Sequence, residues 1–300
     1  MGRLYLIAVL LFILPPAAHA EVVFSDDFEW GSDWNSSQGT TAPIANGWSG
    51  ILCTNRGGSY EAAYVNSAGA KQGSRGFIQY WDQTEEQGSA QDIWLTTAGI
   101  EFPDEYYVGY WFKVDPGWGW AGNVNSLKII KTEYVGGTTW NINWCHVFIQ
   151  YCADGWCNVD GTNWTGDASC EASISTDANK YVFGCWSDVA DGNWHYFVWH
   201  MKHSTGVLEC SIDGVDAIQM SPAAAPGSPY TAGVSTTRWN FGGNITDGGG
   251  TKAEQWTAYD DLIIATTEDE VLDFLGMGDE PESPGTTIRA GGVRSGGFNP

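Results

Sequence analysis

Side chains that could move protons or hold an anion cluster in the middle of the sequence. Lys128 and Lys131 precede a segment that contains His146, Gln150 and Tyr151. His and Tyr can exchange protons near neutral pH, and a cation or an amide can neutralise a carboxylate. These residue types suit β-elimination from a uronate sugar, in which a base removes the proton next to the carboxylate and an acid assists the leaving oxygen. We predict His146, Tyr151 and Lys131 as catalytic residues, and Lys128 and Gln150 as ligand-binding residues.

Aromatic side chains are a second group of candidate binding residues, because exposed Trp faces stack on the C–H faces of sugar rings. The chain has 17 Trp, and we expect about half of them to fill a core. Trp118 and Trp120 lie in a Gly- and Pro-rich segment that does not favour a regular strand. Together with Trp111 and Trp144, they are predicted ligand-binding residues. Glycan binding without catalysis needs only such rings and nearby polar groups.

The carboxylates do not match the arrangement that glycoside hydrolysis requires. Two carboxyl groups must lie about 5–9.5 Å apart on one face of the site. The acidic groups closest to this pattern are Asp26, Asp27 and Glu29, then Glu209 with Asp213, and Glu268 to Glu270. None has an E-x-D type pattern on a mid-sheet strand, and the last group suits a helix N-terminus. Whether the chain is an enzyme stays open; if it is one, a polysaccharide lyase is predicted rather than a glycoside hydrolase.

The net charge of the chain restricts the classes of partner that it could bind. With 36 acidic and 13 basic residues, the formal net charge is −23. Nucleic-acid binding depends on many Lys and Arg contacts to phosphates, so this composition argues against it. Anionic membrane surfaces are disfavoured for the same reason. The predicted partner is a polysaccharide or another glycan, with no nucleic acid.

The N-terminus has the pattern of a secretory signal peptide over residues 1–20. Arg3 precedes the apolar run Leu4–Leu14, and Ala18-His19-Ala20 forms a small-x-small cleavage site. The run is too short to span a bilayer, so no membrane insertion is expected after signal cleavage. The mature chain is predicted to be secreted, extracellular or periplasmic. Its 7 Cys then favour disulfide bonds over a metal site, with an odd cysteine left over.

Short strand-like runs separated by turn signals fill most of the chain. In Tyr106–Val114, the even-numbered residues form an apolar face. Asp213-Gly214 is a hairpin signal, and Thr267 with Glu270 has the form of a capping box. This pattern predicts an all-β sandwich of two antiparallel sheets with one short C-terminal helix.

The sequence predicts one folded domain. It spans residues 21–276, and the Gly-, Pro- and Ser-rich residues 277–300 are predicted to form a flexible tail.

Several segments resemble motifs of the concanavalin A-like and laminin-G-like jelly rolls, a superfamily of secreted carbohydrate-active proteins that includes polysaccharide lyases. Asp191–His195 with Leu208–Gly214 resembles the "DGxWH … xLYVDG" hairpin. The other segments are the first strand Ser25–Glu29, the strand pair within Tyr106–Lys131 and the "DDVVVAT"-like last strand Tyr259–Thr267. The motifs occur in the family's order over residues 24–267. The resemblance implies a concanavalin A-like jelly roll.

The resemblance also bears on individual residues. It implies one structural Ca²⁺, with Asp27 and Asp260 as the expected ligands by analogy. His195 occupies the "WH" position of the hairpin, which suggests a structural role, and it is kept as a further catalytic candidate. The alginate-lyase signatures R-x-E-L, Q-I/V-H and Y-F-K-x-G-x-Y are absent as such.

Three functional hypotheses follow. The first is polysaccharide recognition by a concave or edge surface rich in Trp and Tyr. The alternative is a polysaccharide lyase that uses His146 and Tyr151, with Lys128 or Lys131 near the substrate carboxylate. A second alternative is a laminin-G-like adhesion or surface module. A His, Tyr and basic cluster on one sheet face would favour the lyase, and a bare aromatic shelf would favour the binder.

Overall fold

The fold is taken from a computed structural model of the chain. It describes residues 20–54, 63–81, 90–96, 99–116, 126–135, 142–150, 168–173, 180–186, 191–205, 207–220, 235–246 and 255–278. Strands β8 to β11, defined below, are described by backbone path and register. The predicted signal peptide (apart from its last residue) and nearly all of the predicted tail lie outside these ranges.

Alternating sequence patterns give sixteen strands and two short helices among the described residues. In chain order the strands are β1 Val22–Asp26, β2 Trp34–Asn35, β3 Gly50–Thr54, β4 Ala63–Asn66, β5 Gly76–Trp81, β6 Ala90–Thr96, β7 Glu105–Val114, β8 Ser126–Val135, β9 Ile142–Gln150, β10 Ala168–Ser173, β11 Lys180–Trp186, β12 Trp194–Lys202, β13 Val207–Ile212, β14 Val215–Met220, β15 Ser235–Thr246 and β16 Gln255–Ala265. Helix α1 spans Thr41–Ala45 and α2 spans Glu268–Phe274. The sequence prediction included α2 but not α1.

The strands form two antiparallel sheets. The first sheet has nine strands in the order β14-β13-β12-β7-β16-β5-β4-β2, with β1 also paired to β16. The second sheet has seven strands in the order β11-β10-β9-β8-β15-β6-β3. The predicted all-β architecture of two antiparallel sheets is confirmed.

Aromatic side chains fill the space between the sheets. The even-numbered residues of β7, from Tyr106 to Val114, are fully buried, as their alternation predicts. Trp239 on β15 donates its indole N–H to the Tyr106 hydroxyl at 3.0 Å, and Trp199 donates to the Tyr110 hydroxyl at 3.2 Å. Buried indoles need such a partner, so these bonds fix the pairing of the core rings. Among the tryptophans whose burial is described, the buried ones are Trp30, Trp34, Trp48, Trp81, Trp111, Trp199 and Trp239.

Helix α2 packs on the outer face of the first sheet. Thr267 accepts a hydrogen bond from the Glu270 backbone N–H at 3.4 Å, as the capping pattern predicts. Val271 and Leu275 of the helix region cover Gly109 of β7, where a Cβ atom would lie 2.2 Å from Val271 Cγ1. Gly109 therefore allows the close approach of helix and sheet.

Candidate functional site

A row of residues crosses the second sheet at one level. Lys131 on β8 lies opposite His146 on β9, and His146 lies opposite Glu171 on β10. On the other side, Lys131 lies opposite Asn240 on β15, which lies opposite Trp94 on β6. Directly opposed residues of antiparallel strands belong to the same face. We call these five residues the central row.

Asn240 shows which face the central row occupies. Its neighbours in the strand, Trp239 and Phe241, are fully buried between the sheets. Because side chains alternate along a strand, Asn240 lies on the opposite, outer face of the second sheet. Its side chain is 2% exposed, yet its Oδ1 accepts no hydrogen bond from the described residues. Buried amide oxygens nearly always have a partner, so this acceptor is expected to bind a group outside the described residues, either a neighbouring side chain or a ligand.

A second row lies two residues further along each strand. Arg238 on β15 lies opposite Glu133 on β8, and Glu133 lies opposite Trp144 on β9. Predicted site residues His146 and Trp144 therefore lie on the same face of β9. The sequence analysis missed Arg238 and Asn240. The available signal was the alternation Arg238-Trp239-Asn240-Phe241, which places two polar groups opposite two core rings.

The remaining predicted residues of this group follow the same strands. Lys128 lies opposite Phe148, and Gln150 lies opposite Ser126. A register shift separates Lys128 from Ile130, and it keeps Lys128 on the level of Phe148. Tyr151, Trp118 and Trp120 lie outside the described residues.

The rows combine three kinds of group that suit a carboxylated ligand. Lys131 and Arg238 carry positive charge, Asn240 offers a buried amide, and His146 can exchange a proton near neutral pH. All four belong to adjacent strands of one sheet.

His195 belongs to a different part of the molecule. It lies on β12 of the first sheet, whereas Lys131 and His146 lie in the second. Its Nδ1 is 2.7 Å from Asp213 Oδ2 and its Nε2 is 3.1 Å from Asp191 Oδ1. The hydrogen bond to Asp213, followed by that to Asp191, raises the pKa of His195 above its usual value. His195 thus links Asp191 and Asp213, the acids of the two turns of the hairpin motif. Because it lies in a different sheet from His146, the structure does not bring these two predicted catalytic residues together.

Trp111 is covered rather than exposed. Its side chain is 7% exposed, and its indole N–H donates to the Leu275 carbonyl at 3.2 Å. The Lys71 Nζ lies 3.6 Å from the ring centroid. This packing does not agree with the predicted role of Trp111 as an open stacking platform.

The acidic residues expected to bind Ca²⁺ surround a loop at residues 71–75. Asp260 Oδ2 accepts the backbone N–H groups of Lys71 and Gln72 at 2.6 and 3.0 Å. Glu29 Oε1 accepts those of Ser74 and Arg75 at 2.5 and 2.8 Å. Asp260 and Glu29 both bind the backbone of this loop, so a cation held by either carboxylate would have to replace these hydrogen bonds.

Asp261 is the acid whose surroundings best fit a cation. Its Oδ2 is buried and has no hydrogen-bond partner among the described residues. Burial raises the pKa of Asp261 to about 6, against the attraction of Lys71, and the charges of Asp27 and Glu29 raise it further. A hard cation held by these three carboxylates would relieve that repulsion. The described residues contain no ready-made group of three metal-ligating side chains, so Asp27 and Glu29 would have to close onto Asp261.

The two antiparallel sheets and their connections define a concanavalin A-like jelly roll. The structure is similar to the crystal structure of an endo-β-1,4-glucuronan lyase from the fungus Trichoderma reesei. The TM-score is 0.50 at 15% sequence identity, over 80% of this chain and 97% of that one. It is also similar to the cellulose-induced protein Cip1, with a TM-score of 0.48 at 18% identity over 81% and 97% of the chains.

A GH16 protein of the Bacteroides ovatus mixed-linkage glucan locus gives a TM-score of 0.48 at 11% identity, over 80% of this chain and 100% of that one. At these identities the similarity concerns the fold alone. No family model matches the sequence, and no curated protein matches it. No helix within the described ranges is long and apolar enough to cross a membrane.

Proposed function

We propose that this chain is a secreted polysaccharide-recognising protein that binds a carboxylated glycan on the outer face of its second sheet. The observation that carries the proposal is the central row, which brings Lys131, His146 and Asn240 to one level on adjacent strands. The buried Oδ1 of Asn240, which has no hydrogen-bond partner among the described residues, supports a ligand at this level.

Two bases on this face support a carboxylated glycan, although the rows also contain the acids Glu133 and Glu171. The chain has 13 basic residues against 36 acidic ones. Nevertheless Lys131 and Arg238 occupy neighbouring levels of the same face. A cation and an amide next to each other can neutralise and orient a sugar carboxylate. Trp94 and Trp144 hold register positions on this face where indole rings could stack on sugars.

The second candidate function is β-elimination from the same glycan. The pairing of His146 with Lys131 supports it, because a proton acceptor then lies beside a group that stabilises the carboxylate. In this step His146 would take the proton on the carbon next to the carboxylate. The electron pair left behind would form a carbon–carbon double bond as the bond to the leaving glycosidic oxygen breaks. Tyr151 would supply a proton to that oxygen.

One experiment separates the candidates. The purified chain is incubated with a panel of uronic-acid polysaccharides while the ultraviolet absorbance of the unsaturated product is followed, and retention in gels containing each polysaccharide is measured in parallel. Retention that is weakened in Lys131→Gln and Asn240→Ala, without a rise in absorbance, supports recognition. A rise that is abolished by His146→Ala supports the lyase.

His200→Ala is the matched histidine control, because His200 lies in the first sheet between Glu105 and Glu209. An absence of both retention and product with every polysaccharide would contradict the proposal and leave the adhesion module.

Three further features belong to the proposal. Residues 1–20 act as a signal peptide, which N-terminal sequencing of the exported chain would test. The cysteines between 145 and 185 form disulfide bonds, which the mobility of the exported chain with and without reductant would test. One Ca²⁺ binds at Asp27, Glu29 and Asp261, which calorimetric titration with calcium would test.

A further inference from the structure

Half-buried aromatic side chains cross the outer face of the first sheet, on the side of the molecule opposite to the central row. Trp194 on β12 lies opposite Lys113 on β7, and Trp256 on β16 lies opposite Tyr80 on β5. Tyr64 on β4 contacts Tyr80 edge to face, with ring centroids 5.6 Å apart. All five side chains are intermediate in exposure. We call these five residues the aromatic strip.

The register shows that the strip occupies a single face. Lys113 lies opposite Ala258, which is two residues from Trp256 and therefore on the same side of β16. The residues between them in the strands, Val114 and Thr257, are fully buried toward the core. Helix α2 covers this face elsewhere, at Gly109. The strip thus runs across five adjacent strands, and Trp194 at one end packs against the buried cluster that includes Trp111 and Val271 of the helix.

Lys113 gives the strip its charge. Its Nζ lies 5.8 Å from the Trp194 ring centroid and 5.5 Å from the Trp256 ring centroid. No described carboxylate forms a salt bridge with it. Asp115, the first residue after β7, accepts a hydrogen bond from the backbone of Trp256. In a chain with a formal net charge of −23, an ammonium group held between two indoles is a local binding centre for an anion.

The spacing of the strip fits a sugar chain that runs across the strands. Neighbouring strands lie about 4.8 Å apart and successive residues about 3.4 Å apart, so the backbones of Trp194 and Trp256, which are two strands and two residues apart, are about 12 Å from each other. This separation is comparable to that of alternate pyranose rings in an extended glycan. Two rings could stack on the indoles while a carboxylate on the sugar between them meets Lys113. Tyr80 and Tyr64 extend the platform by two further strands.

We infer that the aromatic strip is a second glycan-binding surface, separate from the outer face of the second sheet, and that it takes a uronate-containing chain with a carboxylate at Lys113. The inference rests on the proposed glycan recognition for its ligand class. The two surfaces lie on different sheets and use different residues, so variants can remove binding at one surface and leave binding at the other. A chain with both surfaces would hold two glycan strands at once.

The test is calorimetric titration with a short oligouronate and with its carboxyl-reduced, neutral counterpart. The starting protein is His146→Ala/Lys131→Gln, in which the central row is disabled. We expect this protein to keep one binding site. Adding Lys113→Gln should weaken oligouronate binding about tenfold, which corresponds to about 1.4 kcal/mol, with little effect on the neutral sugar. Trp194→Ala or Trp256→Ala should weaken binding of both.

Matched variants guard against misfolding and charge effects. Lys202→Gln removes another lysine from the same face, one that is paired with Glu105, and should leave binding unchanged. Trp256→Phe keeps an aromatic ring and should retain most of the affinity, whereas unfolding would remove it. Thermal unfolding of each variant is measured alongside.

Unchanged binding in all strip variants would overturn the inference. If the row variant instead binds as much sugar as the wild type and the strip variants weaken that binding, the proposed site on the second sheet fails while the strip stands. If the wild-type chain forms dimers that Trp194→Ala abolishes and binds no sugar there, the strip is a protein contact and the inference is wrong.

Discussion

The surroundings of Asp261 predict how the free energy of unfolding depends on pH. Its backbone has φ of +48°, a conformation that Asn tolerates well. Its buried Oδ2 has no hydrogen-bond partner among the described residues. The substitution Asp261→Asn therefore removes one negative charge without breaking a described bond of that oxygen. Its effect on stability should report the electrostatic cost of this carboxylate.

The sign and size follow from the pKa. Burial raises the pKa of Asp261 from 3.8 to about 6, so the folded state holds its proton over a range in which the unfolded state has lost it. The free energy of unfolding must then fall as the pH rises from about 4 to about 6, and remain lower above that range. A shift of two pKa units corresponds to about 3 kcal/mol. Because the group is partly screened by solvent, we expect about 1–2 kcal/mol.

The assay is denaturant unfolding at pH 4 and pH 7.5 in the presence of a chelator. Asp261→Asn should match the wild type at pH 4 and exceed its stability by about 1 kcal/mol at pH 7.5. Calcium should stabilise the wild type at pH 7.5, by about 2.7 kcal/mol at a hundredfold excess over the dissociation constant, and should stabilise the variant less. Asp33→Asn, which removes an exposed carboxylate, is the control. A variant that is less stable than the wild type at pH 7.5 without calcium would refute the reasoning.

Three other outcomes are expected. Gly109→Ala should lower stability by about 1–3 kcal/mol, because its Cβ would meet Val271, and adding Val271→Ala should recover part of the loss in thermal unfolding. His195→Asn should lower stability below pH 6.5 without affecting glycan retention. The difference from wild type should shrink as the pH rises through the raised pKa of His195 and the ion pair with Asp213 is lost. Asn240→Ala should weaken uronate retention in affinity gels about tenfold with little change in unfolding midpoint, because its Oδ1 has no described partner to lose.

The alternation of polar and apolar residues predicted the sheets well. In β7 it identified the buried residues from Tyr106 to Val114 correctly. It could not show that Trp111, on the other face, lies under a distant helix, because period-two patterns separate two faces without saying what covers each. The capping residues Thr267 and Glu270 predicted where that helix begins, but not the face on which it packs.

The site residues were harder to predict for a different reason. The pairing of Lys131 with His146 depends on register, which is set by the connection between β8 and β9 and by the irregularity beside Lys128. Neither is readable from strand patterns alone. Asn240 and Arg238 come from β15, far along the chain, so only the sheet order brings them to this face. Residue type alone made His195 a catalytic candidate. In the structure both of its ring nitrogens lie within hydrogen-bond distance of carboxylates, which the sequence does not show.

A strongly acidic chain that binds an acidic polymer needs cations at the contacts rather than over the whole surface. At physiological ionic strength charges are screened over about 8 Å, so most of the net charge of −23 acts weakly on a bound sugar. Groups in direct contact dominate instead. Lys131 and Arg238 lie on the outer face of one sheet, and Lys113 lies between two indoles on the outer face of the other. Lys131, Arg238 and Lys113 therefore lie where a carboxylate could be held, and the surrounding acidity disfavours polyanions that cannot reach these positions.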